Sequence, residues 1–215
     1  MLLALMAGSS LAANPLKSHV GMADPHMHIF NDTAYIYSTH DQWAQGSHGL
    51  GGCCTGDWWI WASADLVHWE NVSELHDWAW DPHPGQNWAT DAAFKDGSYY
   101  WYVSMAGDTI AVAKAPTPHG PWSDPLGHPL LDAALGKSLS PPAGIRDPGV
   151  LQDDDGRNYL VFGSCGGPVQ PDDCCYYASE LGADMVSVST PVHLSVHSAL
   201  GPYGPGKCDD KPFLH

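Results

Sequence analysis

The chain has 215 residues, enough for one large domain or part of a larger one, and 44% of them are hydrophobic. A formal net charge of −16, with only eight lysines and arginines, excludes the clustered positive charge that nucleic-acid binding requires. Ten tryptophans, nine tyrosines, 23 glycines and 18 prolines are typical of short strands joined by turns. An acidic, aromatic-rich chain of this kind favours a neutral carbohydrate as its partner.

The first thirteen residues, MLLALMAGSSLAA, resemble the apolar region of a secretory signal peptide, with small residues near the expected cleavage point at Ala12 or Ala13. We therefore expect a secreted, extracellular protein. Later in the chain, no stretch is long and apolar enough to predict a membrane span. The six cysteines fit disulfide bonds in a secreted chain and free thiols in a cytosolic one, and their pairing stays open.

Three segments then repeat one pattern along the chain. Each begins with an aspartate (Asp24, Asp91 or Asp147), continues as a short apolar strand, reaches a polar turn and returns as an aromatic strand. The predicted turns are Asn31-Asp32, Asp96-Gly97 and the run from Asp153 to Gly156. Such a pattern predicts three β-hairpins at similar spacing.

A third strand is predicted after each hairpin, because bulky and small residues alternate there. These stretches begin after Asp57, at Thr109 and after Cys174. No amphipathic helix is predicted. The Gly-rich stretch 46–56 predicts a surface loop, and the stretches 76–86 and 136–144 predict linkers.

Radial repetition of such units gives a β-propeller and brings the leading aspartates together. The predicted blades span residues 20–87, 88–143 and 144–209, and a fourth unit begins at 210–215. Propellers close with about four to eight blades, so we expect the chain to be incomplete at its C-terminus. A β-sandwich is the alternative, but it does not explain the aspartate at the start of each unit.

The order of several motifs resembles glycoside hydrolase family 43. The motifs are Ala23-Asp24-Pro25, Trp88-Ala89-Thr90-Asp91, Asp147-Pro148, the stretch 63–69 (SADLVHW) and Gly120-Pro121-Trp122. The resemblance implies an all-β, five-bladed propeller, of which about three blades are present. It also implies hydrolysis of arabinofuranosyl or xylosyl linkages in plant-type polysaccharides, with inversion. We expect an oligo- or polysaccharide as partner, and neither a cofactor nor a metal.

Inverting hydrolysis needs a general base and a general acid, whose carboxyl groups stand roughly 6.5–9.5 Å apart to admit a water. By resemblance Asp24 is the base, and Asp147 orients the substrate and raises the pKa of the acid, because a nearby negative charge disfavours ionisation. The family's acid is a glutamate that would follow His215. Glu74 and Glu180 are poor substitutes, so we expect this chain to be inactive or nearly so. Asp-Pro pairs are also common turn signals, which is the structural alternative for both aspartates.

Further residues are expected to bind substrate. Asp91 shares the repeat position and is either structural or sugar-binding. Trp88 either stacks on a sugar ring or packs within its blade. His40 and Asp41 are expected at the rim of the pocket, and Arg146 directly precedes Asp147.

Other interpretations stay open at this point. Arg146-Asp147-Pro148 also resembles the retaining fructan and sucrose hydrolases, but Ala23 stands where those enzymes have an asparagine. A non-catalytic carbohydrate-binding propeller is a further alternative. His26 and His28 lie on one strand face with no evident third metal ligand, so they predict packing. The Asp153–Gly156 run predicts a turn, because its spacing does not match a calcium-binding EF-hand.

Overall fold

A computed structural model describes residues 20–41, 56–163 and 176–194, and all structural statements below concern these residues. The described parts are nearly all β, with eleven strands and one short helix. Several predictions lie outside them: the signal peptide, most of the Gly-rich loop, every cysteine pairing and the start of a fourth unit at 210–215. Among the described residues, no helix has the length and apolar character needed to cross a membrane.

The strands form three antiparallel sheets, and within each sheet they lie side by side in chain order. The first sheet contains β1 (Gly21–Phe30), β2 (Thr33–Asp41), β3 (Trp58–Ser63) and β4 (Glu70–Leu75). The second contains β5 (Asn87–Lys95), β6 (Ser98–Met105) and β7 (Thr109–Ala115). The third contains β8 (Gly149–Gln152), β9 (Asn158–Phe162), β10 (Tyr176–Leu181) and β11 (Val192–Leu194). The three predicted hairpins and the strand after each are confirmed, whereas β4 and β11 are additional.

Two of the hairpins turn through residues with left-handed backbone conformation. Asn31 and Asp32 have φ of 50° and 59°, and Asp96 and Gly97 have φ of 49° and 77°. A two-residue hairpin loop of type I′ requires positive φ at both central positions, and Asn, Asp and Gly tolerate it best. These residues therefore fix the register of β1 with β2 and of β5 with β6.

The second sheet is the middle layer of the described structure. Trp101 and Val103 of β6 pack in one apolar cluster with Tyr37 and Trp58 of the first sheet. Tyr102 of β6 packs in another cluster, shared with residues of the third sheet. Because successive side chains of a strand point to opposite faces, β6 is buried along most of its length.

Two tyrosine hydroxyls add polar links across these layers. Tyr37 donates to the carbonyl oxygen of Pro118 at 2.6 Å, and Tyr102 donates to that of Met185 at 2.7 Å. Burial raises the pKa of both phenols above the ordinary range of tyrosine. Both side chains therefore stay protonated, as a hydrogen-bond donor must.

The prediction of an irregular linker over 136–144 is wrong for its first residues, because they belong to a short helix, α1 (Ala133–Ser138). The helix begins after Asp132, whose side chain accepts a hydrogen bond from the Leu135 N–H at 3.0 Å. Gly136 is buried in the helix, and a Cβ atom there would lie 2.4 Å from the carbonyl oxygen of Ala143. Six residues are too few for a helical period to be visible in the sequence. The other predicted linker, 76–86, contains no helix or strand.

Candidate active site

Asp91 joins the first strands of all three sheets. Its Oδ1 atom lies 2.7 Å from Nδ1 of His26 and 2.7 Å from Nε2 of His28, both on β1. Its Oδ2 atom accepts the backbone N–H of Val150 on β8 at 2.7 Å. The residue itself lies on β5 and is only 1% exposed. One buried carboxylate thus contacts both neighbouring sheets.

The surroundings of Asp91 favour its ionised form. Burial works to raise the pKa of this carboxyl, but hydrogen bonds from His26 and His28, together with their charge, outweigh burial and hold the pKa well below its ordinary value. The Ala92 N–H, 2.8 Å from Oδ1, is a further donor. Protein donors therefore contact both oxygens of Asp91. These contacts explain why a buried carboxylate stands here without invoking a bound sugar.

Asp24 lies where the pairing of β1 with β2 is interrupted. The register shifts between Ala23 and His26, which is a β-bulge, and Asp24 has φ of 47°. The residue is partly exposed. Bulges redirect side chains and are over-represented next to active sites, and left-handed conformation is uncommon in residues other than glycine. The sequence thus places a carboxylate on an irregular stretch of β1, two residues before His26, which contacts Asp91 on β5.

Asp147 has a similar backbone two residues before β8. Its φ is 59°, and it is 9% exposed. The carbonyl of the preceding Arg146 accepts the N–H of Gly163 at 2.9 Å, which ties this segment to the end of β9. Asp24, early in β1, and Asp147, just before β8, therefore share a left-handed backbone conformation, and Asp91 contacts both of these strands.

Trp88 and Arg146 are brought together by the structure. The guanidinium carbon of Arg146 lies 4.8 Å from the centre of a Trp88 ring, within cation–π distance. The same guanidinium donates to Oδ1 of Asp108 through Nε at 2.9 Å and through Nη2 at 2.6 Å. Asp108 lies in the turn between β6 and β7, and it was not predicted because Arg146 is 38 residues away in the chain. The carboxylate of Asp108 therefore orients the Arg146 guanidinium toward Trp88, near the start of β5.

His40 and Asp41 end β2, but the side chain of His40 does not join Trp88. Thr39 donates its hydroxyl to the Trp88 carbonyl at 2.8 Å, so the neighbouring His40 points to the other face of the first sheet. There its Nδ1 lies 2.7 Å from Oδ1 of Asp57, and its ring stacks on Trp59 with centroids 3.6 Å apart. Asp41 is half-buried and pairs with Gly21 of β1.

The glutamates of the sequence are Glu70, Glu74 and Glu180. Glu70 and Glu74 lie on β4, at the opposite edge of the first sheet from β1. Glu180 lies on β10 and is exposed. None of the three is on a strand that Asp91 contacts.

His26, His28 and Asp91 are also residue types that bind metals, and their ligand atoms all lie within 4.8 Å of one another. Sequence reasoning recognised the two histidines as a possible ligand pair but missed Asp91 as their shared partner. The sequence did contain a signal for this contact. His26 and His28 lie on one face of β1, the first strand of its unit, and Asp91 lies on β5, the first strand of the next unit. Hydrogen bonds to the carboxylate account for this cluster without an ion.

Chemically, the candidate residues are two aspartates on left-handed backbone, Asp24 early in β1 and Asp147 just before β8, and the Arg146–Trp88 pair. A carboxylate in such a place can accept a proton from a bound water or hydroxyl group. A second carboxylate nearby can raise the pKa of an acid or hold a sugar hydroxyl. The ring of Trp88, beside Arg146, has the apolar surface that stacks on a sugar face.

Comparisons of the sequence and of the structure with known proteins lead to the same protein family. The family model for glycosyl hydrolases family 43 matches residues 12–214. An arabinoxylan arabinofuranohydrolase of Bacillus subtilis is 30% identical over 173 residues, covering 70% of this chain and 33% of the relative. A xylosidase/arabinosidase of Humicola insolens is 31% identical over 175 residues, covering 75% of this chain and 48% of the relative. A family 43 enzyme of Xanthomonas citri, solved in complex with xylose, superposes with a TM-score of 0.67 at 27% identity, covering 84% of this chain and 57% of that one. The chain thus spans about a third to a half of the length of these curated relatives.

Proposed function

The chain belongs to glycosyl hydrolase family 43, and from that premise we propose that it forms part of a glycosidase that cleaves arabinofuranosyl or xylosyl linkages of plant-type polysaccharides with inversion. The names of its relatives support this substrate class. The observation that carries the proposal is the left-handed backbone that Asp24, early in β1, shares with Asp147, just before β8. Residues held in rarely populated conformations cluster at active sites.

We further propose that the three sheets are blades of a five-bladed propeller with β1, β5 and β8 nearest the axis. The contacts of Asp91 support this arrangement, because one carboxylate reaches two neighbouring first strands only where those strands converge. The packing of the second sheet between the other two also supports it. Three sheets do not close such a ring.

In the proposed mechanism Asp24 is the general base. Its carboxylate takes a proton from the water that attacks the anomeric carbon on the face opposite the leaving group. Asp147 holds the sugar and keeps the acid protonated, because its negative charge disfavours ionisation of that acid. Trp88 and Arg146 line the same end of the strands and orient the sugar ring.

The general acid is proposed to be a glutamate that is not among Glu70, Glu74 and Glu180. Glu70 and Glu74 lie on β4 and Glu180 lies on β10, none of which carries Asp24 or directly follows Asp147, so we assign none of the three as the proton donor. We therefore propose that the 215-residue chain by itself hydrolyses ordinary glycosides very slowly. A substrate whose leaving group needs no protonation removes the requirement for the acid.

Asp24→Asn tests the role of the base on such substrates. Purified chain is assayed with 2,4-dinitrophenyl β-xyloside and the matching α-arabinofuranoside, and the anomer of the first product is followed by NMR. We expect slow hydrolysis with inversion, and a loss of at least about 100-fold in Asp24→Asn. Asn tolerates the left-handed backbone, so the variant should fold.

Asp96→Asn, in an exposed turn with φ of 49°, is the matched control and should hydrolyse like the unmodified chain. Equal rates for Asp24→Asn and Asp96→Asn would refute the role of Asp24. Retention of configuration would instead favour the fructosidase-like alternative.

A non-catalytic carbohydrate-binding propeller is the second candidate, and it is favoured by the position of the glutamates. It predicts binding of xylotriose, measured by calorimetry, without hydrolysis of the dinitrophenyl substrates. Secretion stays a proposal as well, and it rests on residues 1–13 alone.

A further inference from the structure

Four polar side chains meet at one end of the first sheet, on the face that His40 shares with Trp59. Asp57 directly precedes β3, Glu74 lies near the end of β4, and His76 directly follows β4. The Nδ1 atom of His76 lies 3.4 Å from Oδ2 of Asp57, and that of His40 lies 2.7 Å from Oδ1. Ligand atoms of Asp57, Glu74 and His76 all lie within 4.8 Å of one another.

The register of the sheet explains why these side chains meet. Trp58 pairs with Leu75, and Trp59 pairs with Glu74, so Asp57 and His76 stand opposite each other one step beyond the last pair. The backbone N–H of His40 donates to the carbonyl of Asp57 at 2.9 Å, which extends the same row to β2. Opposite residues of antiparallel strands have Cβ atoms about 4.5–5.5 Å apart, a distance that a metal bridges through two side chains.

We propose that Asp57, Glu74 and His76 bind a divalent transition metal, with Zn²⁺ the best match and water completing the coordination. Two carboxylates and one imidazole are ligands that zinc accepts, and the imidazole disfavours Mg²⁺ and Ca²⁺, which prefer oxygen. This site is separate from Asp24, Asp91 and Asp147 and does not depend on the proposed glycosidase function.

The carboxylate of Asp57, which contacts both His40 and His76, is already held in place. The side chain of Asp57 is 13% exposed, and His40, itself stacked on Trp59, contacts its Oδ1. Partners of this kind orient a ligand and leave its other oxygen for the metal. The side chain of His76 is 74% exposed, so an ion reaches the site from solvent. The net charge of −16 attracts cations toward the protein.

Binding of Zn²⁺ to His76→Ala and Glu74→Gln tests the proposal. The chain is treated with EDTA, its thiols are blocked by alkylation, and Zn²⁺ is titrated by calorimetry with a parallel measurement of Tm. We expect His76→Ala to lose one equivalent of Zn²⁺, Glu74→Gln to bind it at least about tenfold more weakly, and both to lose the rise in Tm that zinc gives the unmodified chain. Both positions are exposed, so neither change should prevent folding.

His68→Ala and Glu70→Gln are the matched controls. His68 is an exposed histidine whose Nδ1 lies 2.7 Å from a carboxylate oxygen of Asp65, and Glu70 is an exposed glutamate on β4. Both controls should bind Zn²⁺ like the unmodified chain. The proposal is overturned if His76→Ala keeps the full stoichiometry and affinity, or if Ca²⁺ binds at these residues and Zn²⁺ does not.

Discussion

The three aspartates that lead the repeated units have different surroundings. Asp91 is enclosed and receives hydrogen bonds from His26, His28 and Val150. Asp24 and Asp147 have left-handed backbone, and Asp24 is partly exposed whereas Asp147 is 9% exposed. A shared position in the repeat therefore does not give the three carboxylates the same backbone conformation or the same exposure.

Asp91→Asn should destabilise the protein by about 3 kcal/mol. The amide keeps the shape of the side chain, but it replaces one accepting oxygen with a donor that faces other donors. Urea denaturation measures the change in the free energy of unfolding. Asp96→Asn, in an exposed turn, should change it by less than about 0.5 kcal/mol, and equal losses in the two variants would contradict a structural role for Asp91.

The lowered pKa of Asp91 also predicts how stability depends on pH. A carboxyl whose pKa is lower in the folded than in the unfolded state contributes stability above the unfolded value, about 3.9, and loses it as pH falls toward the folded value. Unmodified protein should therefore lose more stability than Asp91→Asn between pH 5 and about pH 2. Urea midpoints at several pH values measure this difference, and parallel curves for the two proteins would contradict it.

Sequence alone predicted catalytic roles for Asp24 and Asp147, because Asp-Pro pairs in a fixed order carry the resemblance. It missed that His26 and His28 share Asp91, since His28 and Asp91 are 63 residues apart and only the fold brings them together. Asp57 and Asp108 were missed for the same reason. The roles of Asp24, Asp147, Trp88 and Arg146 stay predictions.

At the scale of elements, turn chemistry made the hairpins predictable. Asn31-Asp32 and Asp96-Gly97 favour left-handed conformation by themselves, so local sequence determines those turns. The strand β4 was missed because most of its side chains are exposed and carry no apolar alternation. β11 has three residues and α1 has six, which is too short for either period to be visible.

Gly136→Ala should destabilise the protein by about 1–3 kcal/mol, because the new methyl group would collide with the carbonyl oxygen of Ala143. Backbone atoms cannot move aside as a flexible side chain does. Thermal unfolding followed by circular dichroism measures the effect. Lys137→Ala, an exposed position of the same helix, is the control and should be nearly neutral. An unchanged Tm in Gly136→Ala would show that α1 and the segment at Ala143 do not pack as described.

For the whole molecule, period-two alternation predicted strands but not which faces pack together. β6 is buried on both sides, and its position as part of the middle layer depends on residues far away in the chain. The all-β class is confirmed. The number of blades and the closure of a ring stay proposals, because the described sheets do not form a ring.

Tyr37→Phe and Tyr102→Phe probe the two contacts between layers. Each should cost about 1–3 kcal/mol, because a buried carbonyl oxygen loses its donor. The losses should add within about 0.5 kcal/mol in the double variant, since the tyrosines lie in different clusters. Chemical denaturation of the single and double variants gives these values. Tyr159→Phe, outside both clusters, is the control, and strong non-additivity would show that the two contacts belong to one cluster.

The position of Asp91 also has a consequence for how the chain folds. Its bonds to His28 and Val150 close loops of 63 and 59 residues, whereas each hairpin closes over a two- to five-residue turn. Short loops form faster than long ones, because closing a long loop costs more chain entropy. The sheets should therefore form first as separate units, and the Asp91 carboxylate should join them in a later, slower step.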